Sequence, residues 1–267
     1  MSRQGFALLA VLWTLTAVTV LTGAAMTVAR LGAATTRNRV LLARAGWARE
    51  ACVEMLLARY AQDPALRGVD PVDLGRGTWC DAKLEDPATK LNVNLADSLA
   101  LVTLLHAVAP GRAVAPLAHA VLARRRHDIF ADVAELAGVP GFTESVVAQL
   151  SRFVTTRGTG VINVTAAPPE VLATLPGVTE ETLDLIVSRR GGAALASVDV
   201  LAGWLSPGAR ATLLASYPEL VRATVFAPSQ LVAVVTGGVR GTPITARVIL
   251  TTVPVTGRLA VIRRETE

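Results

Sequence analysis

The chain has 267 residues, of which 52% are hydrophobic, and its 26 Lys and Arg against 21 Asp and Glu give a net charge of +5. The excess is mild and spread along the chain, so composition alone does not indicate a nucleic-acid partner. Two cysteines exclude a scaffold of several disulfides and a four-cysteine zinc site.

An uncharged apolar segment, Phe6–Ala29, lies near the amino terminus and is closed by Arg30. As a helix it would rise about 36 Å, and about 20 apolar residues are enough to span a bilayer. The segment is longer than the apolar region of a secretory signal peptide. It therefore predicts a helix that spans a membrane and is not removed with a signal peptide.

The residues before this segment form a short polar leader, residues 1–5, that ends in Gly5 and is followed by the large apolar Phe6. A leader glycine ahead of the apolar run resembles the type III signal of type IV pilins and pseudopilins. In those proteins a prepilin peptidase cuts after the glycine and methylates the new amino terminus. The resemblance implies cleavage between Gly5 and Phe6, with N-methylation of Phe6.

The distribution of arginines around the segment favours the opposite orientation. Only Arg3 precedes the segment, whereas five arginines follow it before Glu50. The positive-inside rule then predicts that the bulk of the chain lies in the cytoplasm, as in a generic signal-anchored protein. We give precedence to the pilin-like signal, because a long helix carries these arginines away from the membrane surface.

The helical pattern continues beyond the apolar segment. No proline occurs from Met1 to Asp63. Five residues recur at spacings of four and three on one helix face: Leu41, Ala45, Ala48, Cys52 and Met55. We predict one helix from Phe6 to Tyr60, with residues 6–29 in the membrane and the amphipathic residues 30–60 packed on a globular domain.

Residues 61–89 are predicted to form a linker followed by the first strand of that domain. Gln62–Gly77 is rich in turn residues, and Thr78–Glu85 alternates apolar and polar residues. Cys80 in this strand and Cys52 on the apolar helix face are candidates for a disulfide, which an oxidising compartment would permit. Two unrelated buried thiols are the alternative, because Trp79 and Cys80 point to opposite faces of the strand.

Residues 90–216 are predicted to form an inserted domain of short Ala- and Leu-rich helices. The predicted helices are Leu95–Val108, Ala113–Arg125, Ile129–Ala137, Glu144–Thr155, Pro169–Thr174, Glu180–Arg190, Val198–Leu205 and Gly208–Ser216. Lys90–Ala96 matches Val161–Ala167, and Phe130–Gly138 matches Leu195–Gly203, in the same order. The two matches predict a duplicated helical unit, in which an Asn of each copy caps the following helix.

Residues 217–267 are rich in Val, Ile and Thr and predict the closing β-strands of the globular domain. The predicted strands are Leu220–Phe226, Gln230–Thr236, Ile244–Thr252 and Arg258–Arg263. Gly237 and Gly238 are interpreted as turn residues between two of them. With Thr78–Glu85 these strands would form a small antiparallel sheet on which the long helix packs.

One segment of the helical region suggests a second class of function. Leu172–Thr179 resembles the turn of a helix-hairpin-helix motif, whose amides and nearby cations hold DNA phosphates. Glu180 and Glu181 follow this hairpin, and Glu144 follows a similar turn at Gly138–Gly141, so acids stand where phosphate would dock. We therefore favour a helical packing unit and keep a membrane-anchored DNA-binding protein as the alternative.

Motifs for catalysis or metal binding are missing from the sequence. His106, His119 and His127 have no ligand-like spacing, and we expect the first two to be packed or surface residues. The run Arg124–Arg126 is expected to be a solvated helix end. The acids Asp81, Glu85, Asp86 and Asp97 lack the spacing of a calcium loop. We find no active site and predict that the chain is not an enzyme.

The order of these features resembles the K-type minor pseudopilins of the bacterial type II secretion system (the general secretion pathway protein K family). The resemblance covers nearly the whole chain and is carried by Gly5-Phe6, Lys90–Asn94, Val161–Ala166 and Leu175–Gly177. It implies an α+β fold in which a pilin-like long helix packs on a small antiparallel sheet that carries a large duplicated all-α insertion.

The resemblance also implies a place in the filament. Most pilins carry glutamate at the fifth mature residue, where this chain has Ala10 and where K-type members also lack it. A subunit with nothing ahead of it needs no such carboxylate, and the large insertion would clash inside a helical filament. We therefore expect a non-catalytic tip subunit that initiates pseudopilus assembly, or else the corresponding minor pilin of a type IV pilus.

The expected partners are the I-type and J-type minor pseudopilins, the major pseudopilin and the prepilin peptidase. Nucleic acid is not expected as a partner. The resemblance implies a single-pass protein of the inner membrane with its bulk in the periplasm. No cofactor is assigned; some family members bind calcium, but the acids of this sequence do not define such a site.

Overall fold

The structure, a computed structural model, describes residues 3–111, 113–190 and 195–266, without the side chains of residues 3–10. Helix α1 spans Arg3–Gln62. The other helices are α2 (Ser98–Val108), α3 (Val114–His127), α4 (Glu144–Leu150), α5 (Pro169–Leu172), α6 (Glu180–Arg189), α7 (Val198–Trp204), α8 (Pro207–Ala215) and α9 (Tyr217–Ala223). The strands are β1 (Gly68–Gly75), β2 (Thr78–Glu85), β3 (Leu91–Asn92), β4 (Val154–Thr155), β5 (Ile162–Asn163), β6 (Thr224–Val225), β7 (Leu231–Val239), β8 (Thr245–Val255) and β9 (Arg258–Thr266). Two 3-10 helices occupy Pro87–Thr89 and Val133–Gly138.

The carboxyl-terminal half of α1 packs on a five-stranded antiparallel sheet of order β1-β2-β7-β8-β9. The buried residues between helix and sheet form one hydrophobic cluster, here called the sheet core. It consists of Ala48, Cys52, Val53, Leu56 and Tyr60 of α1 and of Val69, Cys80, Ala82, Leu84, Leu231, Ala233, Val235, Val248, Leu250 and Leu259 of the sheet. The predicted α+β fold, with a long helix on an antiparallel sheet, is confirmed.

A second cluster of buried residues, the helical core, extends from Leu91 to Leu220 and is formed by the elements between β2 and β7. Its two halves have the same plan. Each begins with a two-residue strand, continues through helices, and ends with a two-residue strand that pairs in parallel with the first. In this way β3 pairs with β4, and β5 pairs with β6.

The structure corrects the sheet prediction at three places. Strand β1 lies inside the segment that was predicted to be a linker, and its register with β2 shifts twice, so that it lacks a regular alternation. Gly237 and Gly238 lie within β7 and not in a turn. The predicted strand Leu220–Phe226 is mostly helix α9, which has Pro218 in its first turn, and only Thr224–Val225 is extended.

The helical prediction also needs correction at several ends. Ile129–Ala137 contains a 3-10 helix rather than an α-helix, and its N-cap Asp132 accepts a hydrogen bond from the Ala134 amide. Helix α4 ends at Leu150, because the chain must become extended to pair β4 with β3. Leu220 is buried in the helical core, so the sheet region begins after β6 and not at residue 217.

Candidate anchoring and assembly interface

The amino-terminal half of α1 projects away from both cores. From Val11 to Val40 every residue is exposed. The helix is long and apolar enough to cross a membrane, and its most apolar stretch has no buried residue. Exposed apolar surface on this scale needs an apolar surrounding, so the helix fits a membrane anchor.

Threonines are compatible with this anchor because their hydroxyls bond to the helix itself. Thr16, Thr19 and Thr22 each donate to the carbonyl oxygen four residues earlier at 2.8 Å. Thr14 donates to the carbonyl oxygen of Val11, three residues earlier, at 2.9 Å. In hydrocarbon a hydroxyl without a partner is costly, and these bonds satisfy each donor within the helix.

The residues of the predicted processing site lie at the start of α1. Gly5, Phe6 and Ala10 belong to the helical backbone, while their side chains lie outside the described part of the chain. Cleavage between Gly5 and Phe6, methylation of Phe6 and the missing glutamate at Ala10 therefore remain predictions.

The other half of α1 approaches the sheet closely at Gly237. A Cβ atom at this position would lie 2.3 Å from the carbonyl oxygen of Ala45 and 2.4 Å from the amide nitrogen of Arg49. Only glycine lets the backbone of β7 come this near to the helix. On the opposite face, a Cβ at Gly238 would lie 2.8 Å from the ring of Trp79. The glycine pair therefore accommodates the helix on one face of β7 and an indole on the other.

Cys52 and Cys80 form a disulfide with a Cα–Cα distance of 6.0 Å. Both side chains are fully buried in the sheet core. The bond ties α1 to β2 across 28 residues of sequence separation. Trp79 points to the other face of the strand, which leaves Cys80 facing the helix.

A charged pair fastens the helix to the edge strand. The carboxylate of Glu50 accepts hydrogen bonds from Arg49, at 2.8 and 3.2 Å, and from Arg264 of β9. Partial burial acts to raise the pKa of Glu50, but the hydrogen bonds and charges of the two arginines outweigh it, so this pKa is lowered. The contact between Glu50 and Arg264 holds β9 next to α1, outside the exposed apolar half of the helix.

The repeated Asn residues form equivalent buried turns. The Oδ1 atoms of Asn92 and Asn163 accept hydrogen bonds from the amides two residues later at 2.9 and 3.1 Å, respectively. The Nδ2 of Asn92 donates to the carbonyl oxygens of Arg157 and Gly158. The Nδ2 of Asn163 instead donates to Oδ2 of Asp86 at 2.8 Å, at the end of β2. The second copy is therefore bonded to the sheet region, whereas the first is bonded within the helical region.

These contacts correct the predicted helix-capping role of the Asn residues. The N-cap of α2 is Asp97, whose side chain accepts from the amide of Ala100 at 2.7 Å. Asn92 and Asn163 stabilise the turns that lead from each short strand, not the first turn of a helix. Asn94 has no asparagine counterpart in the second copy. Its Oδ1 accepts a hydrogen bond from the amide of Phe130, and its Nδ2 donates to the carbonyl oxygen of the same residue.

An arginine of each copy bonds to the turn that follows the short strand. Arg125 donates to the carbonyl oxygens of Val93 and Ala96 at 3.0 and 2.7 Å. Arg190 donates to the carbonyl oxygen of Ala167, the position that matches Ala96. Partial burial lowers the pKa of Arg190. Each guanidinium fixes one copy's turn to the end of its own helix.

The expectation of a solvated end for Arg124–Arg126 is therefore wrong for two of the three residues. Arg125 is bonded to the turn, and Arg124 lies 5.4 Å from the centroid of the Phe130 ring. Arg124 also donates to the carbonyl oxygen of Asp128 at 2.7 Å. Only Arg126 is exposed in the manner expected.

The helix-hairpin-helix candidate is packed against the protein. A Cβ at Gly177, which has φ +74°, would lie 3.0 Å from the carbonyl oxygen of Thr212 and 3.1 Å from Cβ of Ser216. The hairpin tip therefore faces α8 and its end. Glu181 accepts hydrogen bonds from the amide and hydroxyl of Ser206, at 2.8 and 2.7 Å, which lower its pKa. The hairpin tip is covered by protein, and the carboxylate of Glu181 at the start of the next helix adds a negative charge. Both features oppose phosphate binding at this hairpin.

The other candidate ligands do not come together. His106, His119 and His127 are all exposed. No three His, Cys, Asp or Glu side chains among the described residues lie close enough to hold a metal ion. Oxygen ligands in larger number are what calcium requires. Calcium binding, which the family resemblance allows, therefore stays a prediction that no cluster of acids among the described residues supports.

An exposed aromatic side chain that the sequence interpretation passed over lies beside the sheet. Trp47 of α1 is 77% exposed and lines a groove with Arg44, Leu74 and Arg76. It is the α1 residue directly before the buried Ala48. Exposed tryptophan with neighbouring apolar surface is typical of a protein contact surface. In the sequence, the signal for this surface is that Trp47 lies off the apolar face of α1, where a polar residue would be expected.

Comparison with solved structures finds the same arrangement. The chain aligns with a chain of the GspK-GspI-GspJ complex from the type 2 secretion system of enterotoxigenic Escherichia coli, with a TM-score of 0.58 and 14% identity. The alignment covers 89% of this chain and 98% of that chain. No protein-family model matches the chain, and no curated protein matches it by sequence. The likeness establishes a pseudopilin-like fold.

Proposed function

We propose that this chain is a K-type minor pseudopilin, located at the tip of a type II secretion pseudopilus, which initiates assembly of the filament and so supports secretion across the outer membrane. The observation that carries the proposal is the architecture of the chain. One exposed apolar half-helix continues into a half-helix packed on a sheet, and a large helical region is inserted between β2 and β7. The similarity to a chain of the GspK-GspI-GspJ complex supports it.

The tip position follows from steric and chemical arguments. In a helical filament each subunit is stacked above and below by copies of the same design. The inserted region, from β3 to β6, forms a large core of its own, and we infer that it would obstruct a subunit stacked ahead. Ala10 supplies no carboxylate for the amino terminus of a subunit ahead. A terminal place avoids both conflicts.

The proposed location is the inner membrane, with the cores in the periplasm. The disulfide between Cys52 and Cys80 supports this side, because disulfides persist in the oxidising periplasm and are rare in the cytoplasm. This argument opposes the orientation that the arginine count favours. The proposed partners are I-type and J-type minor pseudopilins and the major pseudopilin, and we place a neighbouring helix on the exposed face around Trp47.

Processing by a prepilin peptidase tests the proposal most directly. The full chain is expressed with and without the peptidase, and the mature amino terminus is read by mass spectrometry. The expected product starts at N-methylated Phe6 and appears only with the active peptidase. Gly5→Leu should remain uncleaved, while Ser2→Ala is the matched control and should be processed normally. An intact Met1 in the presence of active peptidase would refute the pseudopilin assignment.

Assembly requires a second test, because a minor pilin of a type IV pilus would be processed in the same way. We expect the mature chain to copurify with I-type and J-type pseudopilins and to restore secretion in a strain that lacks its K-type subunit. Restored pili without restored secretion would assign it to a type IV pilus instead. Salt-dependent binding of the chain to duplex DNA would favour the DNA-binding alternative.

A further inference from the structure

Three arginines between the membrane-spanning half of α1 and the sheet core form a basic collar, defined here as Arg30, Arg37 and Arg39. All three are exposed. The chain has no acidic residue before Glu50. Within the described ranges none of the three makes an ion pair or a hydrogen bond through its side chain. The collar is therefore a concentration of positive charge that nothing in this part of the molecule neutralises.

The arginines of the collar stay within reach of the lipid headgroups, which corrects, for these three, the expectation that the long helix carries its arginines away from the membrane surface. Arg30 directly follows the apolar segment, and Arg37 and Arg39 lie about 12 and 15 Å beyond Ala29 along the helix. A headgroup layer extends about 6 Å beyond the hydrocarbon on each side of a bilayer. Long arginine side chains can turn back toward that layer. Arg44, about 22 Å beyond Ala29, lies too far out and is not included.

The collar has charges on both sides of the helix. At about 100° per residue, Arg30 and Arg37 share one face, and Arg39 lies on the opposite face. A helix with charge on a single face would need one particular rotation to reach the membrane surface. This helix presents a guanidinium group to the headgroups at any rotation about its axis.

The nearest edge of the globular part reaches down to the collar. The turn Gly241–Ile244 between β7 and β8 lines a groove with Ala33, Ala34 and Arg37 of α1. On the same edge, Arg240 pairs with Asp73 at 3.2 Å, so this acid is already engaged. The sheet region thus stands close above the membrane surface, with unneutralised arginines directly beneath its edge.

We propose that the basic collar binds the headgroups of anionic phospholipids in the adjacent leaflet and so holds the sheet region against the membrane. Phosphate oxygens accept hydrogen bonds from guanidinium groups, and each arginine near an anionic surface adds to the attraction. The proposal goes beyond the assembly role, since it requires only that α1 spans a membrane. In assembly, the collar would have to release these lipids before the helix leaves the bilayer.

The test measures which lipids remain on the full chain. The chain is reconstituted into nanodiscs of mixed phosphatidylglycerol and phosphatidylcholine, and native mass spectrometry gives the ratio of the two lipids that stay bound. We expect phosphatidylglycerol to be enriched. The triple variant Arg30→Gln, Arg37→Gln, Arg39→Gln should lower the enrichment at least tenfold, because each arginine contributes roughly a factor of five.

Three exposed arginines far from the span provide the matched control. Arg126→Gln, Arg152→Gln, Arg258→Gln removes the same net charge and should leave the enrichment unchanged. Equal losses in both triple variants, or no enrichment in the original chain, would overturn the proposal. Inorganic phosphate in excess should not displace the lipid; displacement would indicate a free-anion site and also overturn it.

The outcome is separable from that of the assembly role. Nanodiscs have no sidedness, so the lipid result does not depend on whether the cores lie in the periplasm or in the cytoplasm. An intact Met1 after exposure to the peptidase would refute the pseudopilin assignment and leave the collar untouched. Failure of the chain to enter nanodiscs at all would refute the membrane span and the collar together.

Discussion

The sheet core and the helical core reach close packing by different means. The sheet core joins α1 and β2 to β7, which follows the whole helical region in sequence, and it is held by a disulfide between α1 and β2 and by a glycine that lets the backbones of α1 and β7 approach. The helical core joins two copies of one local plan. In each copy a buried Asn accepts from the amide two residues later, and an arginine donates to a backbone carbonyl of the same turn.

The difference shows what each region demands of its residues. A helix lying on a sheet has regular backbones whose hydrogen bonds are satisfied internally, so shape decides the fit. Short helices joined by tight turns leave many buried backbone groups without a partner, and polar side chains must supply the bonds. We therefore expect the sheet core to be most sensitive to added volume and the helical core to lost hydrogen bonds.

The largest effect is expected at the closest backbone approach. Gly237→Ala places a Cβ 2.3 Å from the carbonyl oxygen of Ala45, so helix and strand must separate, and we expect a loss of about 4 kcal/mol in the free energy of unfolding. Gly203→Ala is the control, since a Cβ there meets no atom within 4 Å and α7 gains helix propensity. Urea unfolding measures both. Equal stability of the two variants would disprove the role assigned to Gly237.

The disulfide should have the second-largest effect, and only in the sheet region. Cys52→Ala with Cys80→Ala removes the cross-link, and the loss of loop closure predicts about 3.5 kcal/mol under oxidising conditions. Hydrogen exchange resolved by segment should show faster opening in β2 and β7 and little change in α2. The same variant compared in reductant provides the control, because there the cross-link is absent from both chains. Faster exchange throughout the chain would contradict the separation of the two cores.

The repeated Asn residues allow the two copies of the helical plan to be compared. Asn92→Ala leaves the carbonyls of Arg157 and Gly158 and the amide of Asn94 without partners, and we expect a loss of about 3 kcal/mol.

Asn163→Ala should cost less, about 2 kcal/mol. Its Nδ2 donates to the carboxylate of Asp86, and this carboxylate keeps a second hydrogen bond, from the amide of Ala88, when the Asn163 side chain is removed. It should also loosen the connection to the sheet region, which Asn92→Ala should not. Thermal unfolding and segment-resolved hydrogen exchange distinguish the two variants. A larger loss of stability for Asn163→Ala than for Asn92→Ala would contradict the expectation that the copy bonded within the helical region depends more on its Asn.

The smallest effect is expected at Glu181. Its pKa is lowered from 4.5 by the hydrogen bonds from Ser206, so the contact stabilises the folded chain above about pH 4.5 and is lost as pH falls through the lowered value. Glu181→Gln should therefore reduce the difference in Tm between pH 7 and pH 3 slightly. Glu180→Gln keeps the Ser206 contacts and should preserve that difference. An unchanged pH dependence in Glu181→Gln would show that the contact does not stabilise the fold.

Local sequence patterns were sufficient to predict an element when a single property of its residues, such as apolar character or alternation, determined its structure. Continuous apolar character and the lack of proline predicted α1, which spans Arg3–Gln62, and alternation predicted β2 with its observed bounds, Thr78–Glu85. The internal matches at Asn92 and Asn163 predicted a duplication, which the parallel pairs β3-β4 and β5-β6 display. Strand β1 was missed, since its irregular pairing with β2 leaves no alternating signal.

The roles of individual residues depended on contacts between distant segments. Gly237 was predicted to be a turn residue because paired glycines usually mark a turn. The structure shows that a side chain is missing there because the backbone of Ala45 lies too close to β7. Arg125 looked solvated because nothing near it in sequence is a partner, and its partners Val93 and Ala96 lie about 30 residues away.

By itself the sequence determined the apolar span, the long helix, the α+β class and the duplicated plan, because hydrophobic periodicity and internal repetition are local properties of the chain. The tertiary structure alone decided which glycine meets a backbone, which arginine is bonded and which Asn binds the sheet region, because these depend on atoms brought together from distant positions. The charge of Arg30, Arg37 and Arg39 is evident in the sequence. Its position beneath the edge of the sheet region, beside the turn Gly241–Ile244, is a property of the fold.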